Sequence, residues 1–197
     1  MEVMQLADLD LNKTYSYADY LKWTFEERLE LIKGKIFEII PAPASKHQMI
    51  SMVLSGELYI FFKGKNCKAY AAPFDVRLPR KRDDGDKEIF TVVQPDVCVI
   101  CDLSKLDKRG CIGAPDIVVE ILSPGNNQTE LRNKYEVYEE SGVLEYWIIS
   151  PQDKTFLKYT LVNGIYQASR PLVVGDTITT VILPGFELKL ETVFAGV

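Results

Sequence analysis

The chain reads as an α/β protein: a mixed central sheet flanked by helices, with the core order α-β-β-β-α-β and β-hairpins added at both ends. Three observations predict this. VVQPDVCVI and APDIVVEIL are consecutive Val/Ile-rich apolar runs that read as strands. HQMISMVLSGELYIFF carries Ile50, Val53, Leu54, Leu58 and Phe61 at helical spacing, a stripe that would face a core. APDIVVEIL, the helical stretch TELRNKYEVYEESG and LEYWIIS form a strand, a helix and a strand. Such a unit carries a right-handed crossover and parallel strands.

The elements follow in order. YSYADYLKWTFEERLELI suggests a short helix, with Tyr17, Tyr20, Leu21 and Phe25 near helical spacing, lying as a lid on the sheet. LELIKGKIFEII reads as a hairpin turning at Lys33-Gly34, which puts Leu29, Leu31, Ile36 and Glu38 on one face. After Pro41 and Pro43, Ser45 can cap a helix whose first turn holds His47. Extended segments are expected at about 68–78, 90–101 and 115–122. The loop KRDDGDKE separates the first two. SPGNNQ opens the next helix and Gly142 ends it. TFLKYTL and IYQAS flank Asn163-Gly164, a strong hairpin signal, and TITTVIL alternates before PGFELKL closes the chain.

The length of 197 residues suits a single domain, 1–197, with room for a full core. No run approaches the roughly 20 apolar residues of a membrane span, and MEVMQLADLD does not read as a signal peptide, so a soluble cytoplasmic protein is expected. Cys67, Cys98, Cys101 and Cys111 are accordingly read as reduced thiols. CVIC has zinc half-site spacing, but residues three apart on a strand point to opposite faces. The net charge of −5 argues against indiscriminate nucleic-acid binding. Local clusters counter it: RLPRKR at 77–82, Lys63/Lys65/Lys68 and Lys105/Lys108/Arg109 could rim an acidic centre.

Asp96 and Glu120 are anomalous because each places a carboxylate in an apolar strand, where an ionised group is costly without a partner. If the two strands are adjacent and antiparallel, Asp96 and Glu120 become cross-strand neighbours with Cβ atoms about 4.5–5.5 Å apart. That spacing lets both reach one divalent cation at metal–oxygen distances of about 2.0–2.1 Å. Asp75, in APFDVRL, is a further strand acid that could face the same pocket, whereas Asp116 follows Pro115 at a strand start and is expected nearer the surface. On the following helix Leu131, Lys134, Tyr135 and Tyr138 make one stripe, so a lysine takes a core-facing place. Its ammonium could steady charge on a phosphate or help activate a water. There is no P-loop, no nucleophile elbow and only one histidine, His47, so other catalytic plans find little support.

On the stretches LELIKGKIFEI, APFDVRL, VVQPDVCVI, APDIVVEILSP, NKYEVYEESGVLEYWIIS and LPGFEL, and on the histidine at 47, the chain resembles the Uma-type family of restriction endonucleases, within the PD-(D/E)XK nuclease superfamily. Pro95-Asp96 matches the superfamily's PD and Glu120 its second acid. The lysine due two residues later is absent, since position 122 is Leu, and Lys134 stands where the Uma-type family places it. Glu30, Glu38 and His47 match recurring family positions. The resemblance implies a restriction-endonuclease-like fold, Mg²⁺ or Mn²⁺ as cofactor, DNA as substrate and a homodimer. Asp96, Glu120 and the carbonyl of Ile121 would hold the metal, Lys134 would complete the catalytic set, and Glu30, Glu38, His47 and Asp75 would be accessory. The resulting expectation is a divalent-metal-dependent endonuclease. The alternatives are an inactive nuclease-fold module that binds nucleic acid or protein, and a hydrolase of small phosphate esters. Tyr159, Tyr166 and Phe186 could supply a subunit interface.

Overall fold

The computed structural model describes residues 5–39, 45–81, 84–123 and 128–197, with side chains 128–130 left aside. The Pro41/Pro43 break, most of the SPGNNQ turn and Arg82 lie outside them. In chain order the strands are β1 (Leu29–Ile32), β2 (Lys35–Glu38), β3 (Lys68–Ala71), β4 (Val76–Arg77), β5 (Val92–Val93), β6 (Val97–Ile100), β7 (Leu106–Asp107), β8 (Gly110–Ile112) and β9 (Ile117–Ile121). They continue with β10 (Glu145–Ser150), β11 (Thr155–Val162), β12 (Ile165–Ala168), β13 (Leu172–Val173), β14 (Thr177–Thr179) and β15 (Glu187–Lys189). The α-helices are α1 (Tyr17–Tyr20), α2 (Ser45–Phe62), α3 (Gln128–Ser141) and α4 (Leu190–Val193).

The main sheet is mixed, ordered β12-β11-β10-β9-β6-β3, with β13 also on β11. β6 and β9 are buried throughout because each face is covered. On one face Val97, Val99, Ile117, Val119 and Ile121 meet Ile50, Leu54, Leu58 and Phe62 of α2, together with Ile178, Phe186 and Leu188 from the β14–β15 hairpin region. On the other, Cys98, Ile100 and Val118 meet Val137 and Tyr138 of α3. The strand, helix and strand of β9, α3 and β10 form the expected parallel unit, with Tyr146 level with Val118.

A second sheet, ordered β2-β1-β5-β4-β8-β7, closes the α3 side. Its hairpin turns where expected, with Lys33 at φ 52° and Gly34 at φ 79°, the left-handed pair such turns require. Gly110, at φ +117°, has no room for a side chain because a Cβ there would collide with the Asp75 carbonyl. This close approach lets Cys111 N–H donate to that carbonyl (2.9 Å) and pins the backbone that carries Asp75.

Several expectations are corrected. The N-terminal helix shrinks to one turn, its start fixed by Asp19, which accepts from the Ser16 N–H (3.0 Å) and hydroxyl (2.9 Å). Beyond it Trp23 packs on Tyr15, Tyr20 and Phe25 in an irregular aromatic stack. Cys67 and Cys101 are not free thiols but a disulfide. The register that opposes Lys68 and Ile100 brings them face to face one step further on, a proximity invisible until strand pairing is known. Cys98 and Cys111 are free and buried. Tyr166 and Phe186 are interior rather than interfacial; Tyr166 packs with Tyr159, Tyr135 and Tyr146, and Phe186 with Phe61 and Trp147. β7, β8 and α4 went unanticipated because such short elements carry too few residues to show a period. No helix among the described residues is long and apolar enough to cross a membrane.

Candidate active site

The antiparallel register of β6 on β9 opposes Val97 with Val119. One step further it opposes Asp96 with Glu120, as the sequence reading expected. Asp96 lies just before β6, where the ladder ends, and its carboxylate completes it: Oδ2 accepts the Ile121 N–H at 2.7 Å. Oδ1 lies 3.1 Å from His47 Nε2, presented by the first turn of α2. The ring also has a backbone hydrogen bond at Ile121. That bond favours the charged ring, so it must be to an acceptor, the carbonyl. The Asp96 hydrogen bond, its charge and this carbonyl together raise the His47 pKa against the opposing effect of burial.

Glu120 points to the α3 side and is 8% exposed. Its Oε1 accepts from the Tyr138 hydroxyl at 2.7 Å and from Lys134 Nζ at 3.1 Å. The two donors are one helical turn apart, so α3 presents both to the same oxygen. Lys134 Nζ is also 3.0 Å from Glu30 Oε2 on β1. That oxygen is buried without an aligned donor, so the attraction is ionic rather than a directed bond. Glu30 is 1% exposed, and its other oxygen accepts the Gln94 N–H at 2.7 Å.

The Gln94 side chain extends the network. Its Nε2 donates to Asp75 Oδ1 (2.9 Å) and meets Tyr20 Oη (3.3 Å). Its Oε1 accepts from Arg28 Nε (2.9 Å) and Nη2 (2.5 Å). Burial pushes the Glu120 carboxyl well above the ordinary carboxylate range. Lys134 opposes this, while the charges of Asp96 and Glu30 add to it. Burial likewise raises Asp75, with Glu30 adding and Gln94, Arg77 and Arg28 opposing. Both shifts arise first from burial, which disfavours the ionised carboxylates.

The structure therefore brings Asp96, Glu120, Lys134, Glu30 and His47 together, with Asp75 attached through Gln94. Glu38 is not among them. Alternation along the hairpin puts it on the face of Leu29, Leu31 and Ile36, opposite to Glu30, and it is exposed on the outer strand. Asp116 is only partly exposed and accepts the Cys101 N–H at 2.7 Å. Of the basic clusters, Arg77 is buried against Asp107 (2.6 Å), and Arg109 pairs with Asp86 (2.8 Å). Sequence reasoning missed Gln94, Arg28, Tyr20 and the role of Tyr138. Tyr138 alone left a signal, since a buried tyrosine hydroxyl one turn from a buried lysine needs a partner.

Among the described residues no three His, Cys, Asp or Glu side chains converge closely enough to hold a metal ion on their own. Mg²⁺ does not require three, because it keeps several waters and needs only one or two carboxylates. The donors fit a hard cation. Glu120 and Asp96 supply carboxylate oxygens, and Asp96 and the Ile121 backbone meet at His47. Tyr138→Phe removes the hydroxyl that fixes Glu120. It should lower the unfolding free energy by about 1.5–3 kcal/mol, the range for a hydrogen bond to a charged group, as read by urea unfolding.

An αβββαβ core with acids gathered at one end of its sheet defines a restriction-endonuclease-like nuclease fold. A family model described as Uma2, putative restriction endonuclease, matches residues 17–191, and the chain belongs to that family. It is also similar to the crystal structure of a putative nuclease belonging to DUF820 from Anabaena variabilis. The two are 20% identical, with a TM-score of 0.71 over 92% of this chain and 98% of that one. No curated protein matches.

Proposed function

We propose that the chain is a divalent-metal-dependent endonuclease that hydrolyses phosphodiester bonds in DNA. The observation that carries this reading is the meeting of two strand acids, Asp96 and Glu120, with a lysine that α3 delivers to Glu120. Asp96, Glu120 and the Ile121 carbonyl would hold Mg²⁺ or Mn²⁺, which supplies Lewis acidity and a more readily deprotonated water. Lys134, held between Glu30 and Glu120, donates toward the oxygens beside Glu120, where it orients the attacking water and offsets charge growing on the phosphate. Tyr138 fixes the Glu120 carboxylate, and His47 with the Ile121 N–H fixes that of Asp96.

The chain should nick plasmid DNA in Mg²⁺ and not in a chelator. Glu120→Gln, which keeps the shape and loses the charge, should slow cleavage by about a hundredfold or more. Undiminished cleavage by that variant would overturn the reading. A second reading, a nuclease-fold module that binds without cutting, is favoured by Leu122 at the superfamily's lysine position and by the net charge of −5. Calorimetric titration with Mg²⁺ separates the two, because only the enzyme needs a carboxylate-dependent cation site.

A further inference from the structure

Arg28 stands apart from the other arginines of the described chain that have partners. Arg77, Arg109, Arg132 and Arg170 each face a carboxylate, in Asp107, Asp86, Glu136 and Asp176. Arg28 is exposed, and its guanidinium is held by a neutral group, the Gln94 carboxamide oxygen, through Nε and Nη2. The ladder of β1 on β2 continues to Arg28, whose carbonyl accepts the Ile39 N–H at 2.9 Å. Alternation therefore puts Arg28 on the same side as Glu30, two residues or roughly 7 Å toward the rim. Gln94 binds both: its backbone N–H holds Glu30 and its side chain holds Arg28. A guanidinium fixed on one edge, free of a direct carboxylate partner and set beside an acidic centre suits a phosphate better than it suits a structural ion pair.

We propose that Arg28, oriented by Gln94, is a substrate-binding residue that contacts a backbone phosphate next to the scissile one. This rests on the nuclease reading and adds to it a source of the positive charge that a chain of net charge −5 must present locally. Gln94 is a positioning residue, since it acts through Arg28 and Glu30.

The test is fluorescence anisotropy of a short labelled DNA duplex with the full chain carrying Glu120→Gln, titrated from about 50 to about 200 mM salt. Adding Arg28→Gln should reduce the steepness of log affinity against log salt by about one and weaken binding alike for unrelated sequences. Arg28→Lys, which retains the charge, should keep the slope, and both variants should melt with the parent. An unchanged slope in Arg28→Gln overturns the inference and leaves the nuclease reading standing. A slope lost equally in Arg28→Lys traces the effect to the Gln94 contact and also overturns it. Failure of the parent to bind duplex at all removes the nuclease reading and this inference with it.

Discussion

Replacing Lys134 with methionine is expected to cost the fold about 3–5 kcal/mol, the range for removing one partner from a buried ion pair. Two buried carboxylates share this ammonium, at 3.0 Å for Glu30 and 3.1 Å for Glu120. Methionine fills much of the same space, so the loss is electrostatic rather than a cavity effect. Lys134 is the foremost influence holding the Glu120 pKa down, and without it Glu120 rises further. An acid whose folded pKa exceeds its unfolded value takes up a proton on folding. The penalty is therefore absent below the ordinary carboxylate range, grows as pH rises from there, and levels off above the folded pKa. Because the wild-type Glu120 pKa is itself raised, the Lys134→Met deficit should widen as pH rises through that raised value and shrink below it, and adding Glu120→Gln should recover part of it above that value. Urea unfolding at several pH values reads both effects. A deficit independent of pH would show that Lys134 acts by packing alone.

Asp96→Asn should leave the fold nearly intact and lower Mg²⁺ affinity by more than the roughly 10–100-fold typical of outer partners of metal ligands. Asparagine keeps an oxygen for the Ile121 N–H, which Asp96 accepts at 2.7 Å, and loses the charge that faces His47. The His47 pKa is raised, chiefly by its Asp96 hydrogen bond. The stabilisation from that pair is thus full below the unfolded histidine pKa and is lost as pH rises through the folded one. In chelator, the melting temperature of the wild-type chain should fall across that window, and that of Asp96→Asn should vary less. Over the same window wild-type Mg²⁺ affinity should rise, as the competing imidazolium gives up its proton. Equal pH profiles in the two proteins would contradict the assigned pairing of His47 with Asp96.

The opposition of Asp96 and Glu120 was legible because each sits in an apolar run, and the antiparallel guess set their register. Lys134 was legible because it interrupts a helical stripe. Both signals are local, and each is a polar residue out of place in a periodic pattern. Gln94 and Arg28 carried no such signal. A glutamine before Pro95 and an arginine in an acidic stretch look like surface residues until β1 and β5 pair, Leu31 with Val92, and draw them together. Glu38 was misjudged for the converse reason. Its side of the hairpin was read correctly, but the sequence does not say which side meets the main sheet. The Cys67–Cys101 bridge was hidden in the same way, behind a pairing of distant strands.

The proposed cation site lies between Asp96, Glu120 and the Ile121 carbonyl, with Lys134 beside it. A crystal structure of the chain soaked in Mn²⁺, with anomalous diffraction to locate the ion, tests this most directly. The expected result is a peak within bonding distance, about 2.0–2.3 Å, of an oxygen from each of the three, with the His47 ring displaced from Asp96 and the peak absent in Asp96→Asn. Manganese bound elsewhere, or a site left to His47 at saturating metal, would contradict it.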